Sequence, residues 1–579
     1  MNWLRENRLT AFGAAGLAGG LLVNLRTLKQ LPELFVDESY YSSTAWGASE
    51  GLGLTPTIMA GSGVYDGTTD SWAAWIGSLP HIAAELVLPT SFTVSRGVTF
   101  LVAAVAVLLV VLALSKVLPI GLSLLSGGAL ATSTGFVIIS HWVRWDAMAA
   151  LFLAAIMLLL IAGPPRLLAA GAAGALLGLS PDFGMPVLGV FPAVLLLCAW
   201  RREKRGGRVL ALLGGLAAGM LVYGLLHFTG GFDQAERQFD AFYEPLYGGI
   251  PLWEAIRELS FAPLLDEADR WFRMSGSPSI GAYVTFVIGT LAAVLTLARG
   301  LGAPERPLWA LGAAVVVAIP VILVLGEVPY DPLRALIGLL IVAGVGLLAA
   351  QAVQVARGAP YPRESVPAML LISFLLGLGL LVSWKAPNTA YLGVPLAVAA
   401  IAVALRELAP EGLRTSVPVV GLTALLLFSS GYVLDQGRKA IYDPALDPAL
   451  SDQARELIPA GSTVMGDSLY WWLFRDERFI FNSTWLQRWQ HPNDTVADSF
   501  HRVCPDYVLL DDLWLDHYRR VSFGRQLTPN LYPRTRGERE QVFKLLGREY
   551  RKVEVIPFGV RTLRFFERRA PDCPAPPTS

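Results

Sequence analysis

The 579-residue sequence contains only three cysteines and six histidines. So few cysteines exclude a disulfide framework, and six scattered histidines argue against a dedicated metal cage. The sequence also has no Gly-rich phosphate loop, no Cys and His set with metal-ligand spacing and no serine-based triad. These absences leave cytoplasmic chemistry on ATP or a nucleotide sugar without support. We expect no cofactor, although a divalent ion without a ligand motif stays open.

Net charge is also missing, because Lys+Arg and Asp+Glu both number 46. The chain therefore has no basic footprint for a nucleic acid, and no such partner is expected. Only 16% of the residues are charged, whereas 54% are hydrophobic and the mean hydropathy is +0.50. Soluble globular proteins rarely have this balance. The composition predicts a polytopic protein with membrane lipids around it.

Apolar runs long enough to cross about 30 Å of hydrocarbon as helices recur from the N-terminus to about Leu434. The first run, Ala11 to Leu25, lacks a small-residue cleavage site, so we interpret it as a retained span rather than a signal peptide. Hydropathy predicts about thirteen transmembrane helices. The expected spans are 9–28, 96–115, 119–139, 146–162, 167–180, 184–200, 208–228, 281–298, 308–326, 333–350, 366–384, 389–405 and 416–434.

Basic residues fall in alternate loops between these spans, as they do in cytoplasmic loops. This phase places the N-terminus in the cytoplasm, and it places the loops 29–95 and 229–280 and everything after about residue 435 outside. The expected location is the plasma (inner) membrane. The residues that set the phase are Arg5, Arg8, Lys116, Arg166, Arg201, Arg202, Lys204, Arg205, Arg208, Arg299, Arg306, Arg357, Arg363, Arg406 and Arg414.

The composition changes after the last span, which predicts a transmembrane domain over 1–434, a small soluble α/β domain over 435–569 and a disordered Pro-rich tail over 570–579. Cys504 and Cys573 share this part and are able to pair if it is extracytoplasmic. The expected strands are 462–466, 479–482, 506–511, 553–556 and 562–566, and the expected helices are 448–458, 468–475, 494–503 and 536–548.

Asp37 and Glu38 form an acidic pair just beyond the first span. One interpretation is a solvated helix N-terminus, where carboxylates offset the helix dipole. The other is a general base at the rim of a partly desolvated cavity. Both interpretations stand on the sequence alone.

A second group of ionisable residues opens the fourth span, in the segment His141 to Asp146. Ionisable groups at the membrane edge are candidates for function, because burying a charge there is costly. Arg144 and Asp146 either pair with each other and anchor that helix, or complete an acid and base cluster with Asp37.

Lys385 lies in a tight external hairpin between two spans, where the preference for basic residues inside is broken. It either snorkels to lipid headgroups or pairs with an anion such as a phosphate group. Arg96 and Arg334 lie near the external ends of their spans and are second-rank phosphate contacts.

Three segments resemble the GT-C superfamily of polyprenyl-phosphate-dependent glycosyltransferases, especially the protein O-mannosyltransferases and the bacterial aminoarabinose transferases acting on lipid A. Phe35 to Tyr40 is similar to the family's acidic motif in the first external loop. Arg144 to Asp146 is similar to its second acidic position, and Lys385 with Tyr391 and Pro395 is similar to its lysine, tyrosine and proline pattern. The resemblance implies a GT-C-like fold.

The resemblance also implies a function: transfer of a sugar from a polyprenyl-phosphate donor to a protein, lipid or glycan hydroxyl outside the membrane, with inversion. Asp37 would deprotonate or orient the acceptor hydroxyl, with Glu38, Arg144 and Asp146 in support. Lys385, with Tyr391, Arg96 and Arg144, would hold the donor phosphate. The further candidates for substrate contacts are Tyr40, His81, Asp182 and Arg334.

The chain departs from many of these relatives at Ser180 to Gly184, where they have a basic residue in a short external turn. Asp182 in this segment is either an acceptor or sugar contact or simply a turn residue. In both cases the identity of the donor sugar does not follow from the aminoarabinose transferases. The main alternative function is a transporter or flippase for a lipid-linked or anionic substrate, which predicts repeat symmetry that the sequence lacks. A membrane scaffold with a partner-binding C-terminal domain is a third alternative.

Overall fold

The polar and apolar runs of the sequence fold into two kinds of structure: long apolar helices first and a β-sheet near the C-terminus. The computed structural model describes residues 2–31, 36–58, 75–162, 167–179, 205–227, 231–238, 279–304, 330–360, 362–380, 391–439, 448–466, 468–474, 478–481, 495–511, 536–558 and 561–570.

Helices make up the N-terminal part of the described chain. Short 3-10 helices cover Arg363–Ser365 and Glu411–Leu413. The α-helices are α1 (Asn2–Arg26), α2 (Val36–Ser49), α3 (Trp75–Glu85), α4 (Phe92–Leu114), α5 (Ile120–Thr132), α6 (Thr134–His141), α7 (Asp146–Ile161), α8 (Leu167–Gly178), α9 (Arg205–His227), α10 (Phe232–Gln238), α11 (Ser279–Gly300), α12 (Tyr330–Ala356), α13 (Val366–Leu380), α14 (Val394–Glu407) and α15 (Ser416–Lys439).

Four helices in the described residues are long and apolar enough to cross a membrane, and they lie in α1, α4, α12 and α15. The bent pair α5 and α6 makes a fifth if it is one span. Shorter apolar helices lie in α7, α8, α9 and α11. These features are those of a polytopic membrane protein, as the composition predicts.

Most of the predicted spans overlap one of these helices, but the count of about thirteen stays a prediction. The expected spans 184–200 and 308–326 lie outside the described residues. The expected span 119–139 is corrected in shape, because α5 and α6 meet at a bend of 68°. Ser133 is extended at the bend, and its hydroxyl donates to the carbonyl of Leu130 (2.8 Å). The same carbonyl also accepts from the Ser133 backbone N–H (3.1 Å), so the hydroxyl adds a second hydrogen bond at the end of α5, as serine side chains do where helices bend.

Close helix packing accounts for much of the membrane part. The helices α8 and α9 pack against each other, and a Cβ atom at Gly174 or Gly215 would collide with a carbonyl oxygen of the opposite helix. Small residues allow this approach in a membrane, where lipid gives helices no hydrophobic reason to associate and van der Waals contact must supply it. The largest buried apolar cluster combines residues of α4 to α8 with residues of α11 to α14.

The C-terminal part forms a five-stranded sheet in the order β2-β1-β3-β5-β4. The strand β1 pairs in parallel with β2 and β3, whereas β5 is antiparallel to β3 and β4. The elements are α16 (Pro448–Leu457), β1 (Thr463–Gly466), a 3-10 helix (Ser468–Leu473), β2 (Arg478–Phe481), α17 (Val496–Val503), β3 (Tyr507–Asp511), α18 (Arg536–Glu549), β4 (Tyr550–Phe558) and β5 (Arg561–Arg568).

Each predicted strand overlaps an observed strand, and each predicted helix overlaps an observed helix. The expected strand 553–556 is too short, since pairing with β5 extends β4 over Tyr550–Phe558. The predicted tail beyond Ala570 lies outside the described residues, and the domain boundaries stay predictions. Cys504 is disulfide-bonded. Its predicted partner, Cys573, lies outside the described residues.

Candidate functional site

The first carboxylate of the site is Glu38, which is fully buried in the first turn of α2. Arg96 of α4 reaches it with two nitrogens: Nη2 donates to Oε1 (2.7 Å) and Nε donates to Oε2 (2.9 Å). Arg96 itself is 1% exposed. Two parallel hydrogen bonds between a guanidinium and a carboxylate fix direction as well as distance. The pair therefore locks α2 against α4.

The remaining sides of the Arg96 guanidinium are also in contact. Nη1 donates to the carbonyls of Leu28 (2.9 Å) and Leu31 (3.5 Å), which follow the end of α1. Phe92, one helical turn earlier in α4, places its ring 4.4 Å from the guanidinium carbon. Arg96 thus joins α1, α2 and α4. In this structure the guanidinium of Arg96 donates to Glu38, and a contact between Arg96 and a donor phosphate stays a prediction.

A second buried pair lies between α6 and α7. Arg144 Nε lies 3.1 Å from Asp146 Oδ2, and both residues are nearly inaccessible to solvent. Asp146 is the first residue of α7, where the helix dipole favours a negative charge. The guanidinium carbon of Arg144 lies 5.1 Å from the ring of Trp145 and 6.0 Å from that of Trp142.

One hydrogen bond joins the two pairs. The backbone N–H of Val143, next to Arg144, donates to Glu38 Oε2 (3.3 Å). Aromatic contact supports the same junction, since Tyr41 packs edge-on against Trp145 with centroids 4.9 Å apart. The structure therefore brings together four residues predicted from three segments of the sequence: Glu38, Arg96, and the pair Arg144 and Asp146.

The two carboxylates differ in their hydrogen bonding. Both oxygens of Glu38 accept hydrogen bonds. Asp146 Oδ2 is buried and close to Arg144, but it accepts no hydrogen bond within the described part of the chain. A buried carboxylate oxygen without a hydrogen bond is costly unless it serves a purpose. Asp146 is therefore the carboxylate able to accept a hydrogen bond from a substrate group.

His141 lies next to this junction, because it contacts the same backbone carbonyl of Leu31 as Arg96. Its Nδ1 contacts the carbonyl of Leu31, and its Nε2 lies 2.6 Å from Asn24 Oδ1. Asn24 Nδ2 in turn donates to the carbonyl of Ala131 (2.7 Å) and to Ser140 Oγ (3.0 Å). The sequence analysis missed Asn24. A signal existed, because an amide inside an apolar span requires a polar partner.

His81 is buried in α3, away from the two pairs. Its Nε2 lies 3.4 Å from Thr99 Oγ1, one turn after Arg96 in α4, and its Nδ1 has no hydrogen-bond partner in the described residues. Burial lowers the pKa of His81 to about 4, so the ring is neutral at neutral pH. Its role as a substrate contact stays a prediction, as does that of Tyr40, whose ring packs edge-on against Tyr41 (5.3 Å between centroids).

Four other predicted site residues lie wholly or partly outside what the structure describes. Asp37 belongs to α2 and Arg334 to α12, but their side chains lie outside the described residues, as do Asp182 and Lys385 entirely. Tyr391 is buried at 7% exposure in the turn before α14. None of its contacts given by the described residues reaches Glu38 or Asp146.

The described residues contain no group of three or more His, Cys, Asp or Glu side chains placed to hold a metal ion. The charged groups of the junction are instead two carboxylates and two guanidinium groups. Such an arrangement is able to orient hydroxyl and phosphate groups and to move a proton between oxygens.

No protein-family model matches the chain, and no curated protein matches it. Among solved structures, the chain is similar to the crystal structure of ArnT from Cupriavidus metallidurans bound to undecaprenyl phosphate. The identity is 13%, the TM-score is 0.42, and the similarity covers 96% of this chain and 98% of that chain. A similarity of this degree carries no conclusion about the fold or the activity of this chain.

Proposed function

We propose that the protein is a membrane glycosyltransferase that moves a sugar from a polyprenyl-phosphate donor to an acceptor hydroxyl outside the membrane. The observation that carries the proposal is the environment of Glu38. This residue follows Asp37 directly, is completely buried, and is fixed by Arg96 and by the Val143 amide beside the Arg144–Asp146 pair. A carboxylate held this rigidly fixes the helical turn that also contains Asp37, and a base must be held in a fixed position to take a proton from a hydroxyl.

In this reaction the acceptor oxygen attacks the anomeric carbon of the sugar in a single inverting displacement. The bond between that carbon and the phosphate oxygen breaks, and its electron pair stays on the lipid phosphate. Asp37 accepts the proton of the acceptor hydroxyl. Glu38 keeps the first turn of α2 in place, and Asp146 accepts a hydrogen bond from a substrate hydroxyl.

Lys385 and Tyr391 are assigned to the donor phosphate. The leaving lipid phosphate gains negative charge as the bond breaks, and preorganised cations or hydroxyl donors stabilise such a charge strongly in a low-dielectric site. Arg96 is assigned to Glu38 in the first place, because its nitrogens already donate to that carboxylate and to two backbone carbonyls.

The proposal puts the C-terminal sheet on the extracytoplasmic side. Cys504 in this region is disulfide-bonded, and disulfides persist mainly in oxidising compartments. The sheet then lies on the same side of the membrane as α2, in keeping with the contacts of the 3-10 helix Ser468–Leu473 with α2.

The test uses purified protein in lipid nanodiscs, a radiolabelled polyprenyl-phosphate sugar, and protein, lipid and glycan acceptors. The wild type is compared with Asp37→Asn and with a matched control, Asp233→Asn, whose carboxylate is exposed on α10. We expect transfer by the wild type and the control and a loss of about 10²-fold or more in Asp37→Asn.

If Asp37→Asn transfers sugar as fast as the wild type, Asp37 is not the base. Binding of the donor lipid with no transfer to any acceptor class, together with its movement between leaflets, would instead support the flippase alternative.

A Lys385→Ala variant tests the phosphate site separately, since it should weaken donor binding in a direct lipid-binding assay.

A further inference from the structure

The C-terminal part contacts the helix that carries Glu38 through an aromatic segment. Trp471 and Trp472 of the 3-10 helix Ser468–Leu473 are 1% and 6% exposed, and their rings pack edge-on with centroids 4.8 Å apart. Trp471 also packs against Trp46, near the end of α2, with centroids 6.2 Å apart. A single buried cluster contains Ile58, Phe92 and both tryptophans. The sheet domain is therefore docked on the candidate site.

A second contact leads from this segment to the ion pair. The ring of Trp472 packs edge-on against Phe92, the first residue of α4, with centroids 5.7 Å apart and an interplanar angle of 80°. The ring of Phe92 covers the guanidinium of Arg96 at 4.4 Å. Arg96 holds Glu38 with two hydrogen bonds. The contacts thus run without interruption from Trp472 through Phe92 and Arg96 to Glu38.

The geometry of α4 explains why these contacts act on one another. Phe92 and Arg96 are four residues apart, so their side chains lie on the same face of the helix. The ring is 3% exposed and keeps water from one face of the guanidinium. Excluding water strengthens the hydrogen bonds of a buried ion pair, because the local dielectric constant falls. A displaced Phe92 ring would admit water and loosen Glu38.

The ring contacts of Trp472 hold it in place, since its buried Nε1 has no hydrogen-bond partner within the described residues. A side chain that packs without a directional polar contact positions its neighbours only through van der Waals contact. The edge of the Trp472 ring therefore determines where the Phe92 ring lies.

We propose that Trp472 is a positioning residue: by packing on Phe92, the C-terminal domain keeps the Arg96–Glu38 pair closed and so fixes the first turn of α2. The consequence for catalysis rests on the proposed function, since that turn contains Asp37. The structural part of the inference does not depend on it. A chain of contacts becomes a demonstrated coupling only through a measured effect at the far end.

The first experiment measures amide hydrogen exchange of the full chain in nanodiscs. The N–H of Val143 donates to Glu38, so its exchange reports on the position of this carboxylate without any substrate. In Trp472→Leu we expect exchange at Val143 to rise by roughly two- to tenfold, which is what the loss of one edge-to-face aromatic pair amounts to. Exchange in β3 should stay unchanged, because the sheet remains folded.

The matched control is Leu546→Ala, which removes a buried side chain of α18 in another cluster of the sheet domain. This variant should raise exchange in the sheet and leave Val143 protected. If Trp472→Leu detaches the whole C-terminal domain, Phe92→Leu tests the same contact from α4, and exchange at Val143 should rise in this variant too. Unchanged exchange at Val143 in Phe92→Leu and in a folded Trp472→Leu variant would overturn the inference.

The second experiment measures transfer kinetics in a double-mutant cycle. Trp472→Leu and Phe92→Leu should each lower kcat more than they change the KM of the donor, and the double variant should lose no more than the worse single variant. Trp472→Phe keeps an aromatic edge and should restore most of kcat. Losses that multiply, or a change confined to KM, would contradict positioning through Phe92.

The two readouts separate this inference from the proposed function. If the wild type transfers no sugar, the proposed function fails, and hydrogen exchange alone decides whether Trp472 holds the Glu38 turn. If transfer occurs while Val143 exchange is insensitive to Trp472 and Phe92, the function stands and the inference fails.

Discussion

Glu38 and Asp146 are both buried carboxylates with an arginine close by, but the protein holds them differently. Both oxygens of Glu38 accept hydrogen bonds, from Arg96 and from the Val143 amide. Asp146 lies 3.1 Å from Arg144, yet its Oδ2 accepts no hydrogen bond within the described residues. We therefore expect Glu38 to hold α2 in place and propose that Asp146 receives a substrate group, because only a carboxylate with unused hydrogen-bonding capacity is able to do so.

Removal of Arg96 should have the largest effect on stability. Arg96→Leu removes the guanidinium that donates to both oxygens of Glu38, and breaking a buried ion pair in this way costs about 3–5 kcal/mol. We expect a large fall in the melting temperature and in the yield of monodisperse protein in detergent. Arg96→Lys keeps the charge but not the two parallel hydrogen bonds, so it should fall between Arg96→Leu and the wild type. A stable Arg96→Leu variant would show that the pair is not an anchor.

Neutralising Asp146 should affect activity more than stability. Asp146→Asn keeps the shape of the side chain but replaces a charged hydrogen-bond acceptor with a neutral one, so it should lower the rate of transfer by roughly tenfold. Its melting temperature should fall less than that of Arg96→Leu, since asparagine keeps an oxygen beside Arg144 and no aligned hydrogen bond is lost, although the buried Arg144 loses the negative charge next to it. The variant is measured in parallel by transfer and by thermal unfolding. If Asp146→Asn is as active as the wild type, or as unstable as Arg96→Leu, the two pairs do not differ as proposed.

A smaller effect should follow from changing Arg144 to lysine. The guanidinium lies 5.1 Å from the ring of Trp145, a contact worth about 0.5–1 kcal/mol or more when desolvated. Arg144→Lys keeps the charge beside Asp146 but loses the flat face, so we expect a modest fall in melting temperature. Trp145→Leu alone should lower the melting temperature by as much. In the Trp145→Leu background, Arg144→Lys should cause little further change, and the double variant measures this coupling.

A carboxylate near the surface shows how small the effect on stability should be when a carboxylate is not buried. Asp498 forms a capping box with Thr495 at the start of α17. Hydrogen bonds from Thr495 lower the pKa of Asp498 below its usual 3.8, so the stability it adds is complete above that pH and is lost as the pH falls through the lowered pKa. Asp498→Asn should cost at most about 1 kcal/mol at neutral pH.

Thermal unfolding at a series of pH values checks this smallest effect. The difference between the wild type and Asp498→Asn should shrink toward zero as the pH falls below 3.8, the usual value for Asp498. A difference that persists at low pH would mean that the carboxylate charge does not support the cap.

Local patterns in the sequence predict much of the architecture. The strands 462–466 and 506–511 were expected from short apolar runs, and β1 and β3 occupy them almost residue for residue. The helix α7 was expected from its apolar run after Asp146. These elements follow from nearest neighbours in the chain, because hydrophobic periodicity and breaker residues act within a few positions.

The candidate site was predictable only as a set of residues. An acidic pair at a membrane edge and an Arg–Asp pair at the start of a span are visible without a structure. The pairing of Arg144 with Asp146 was one of two alternatives offered by the sequence, but the partner of Glu38 is not visible there, because it depends on how helices cross. The sequence analysis assigned Arg96 to a phosphate, whereas the structure places it on Glu38, 58 positions away.

The amino-acid sequence by itself determined that this chain is dominated by apolar helices, that its charges gather beside them, and that a sheet follows near the C-terminus. Composition and short-range periodicity suffice for these features. Only the tertiary structure decided that α2 and α4 meet at Glu38, that the Val143 amide joins the two pairs, and that Trp472 packs on Phe92. These contacts join residues far apart in the chain, and their geometry exists only after the helices and the sheet have packed.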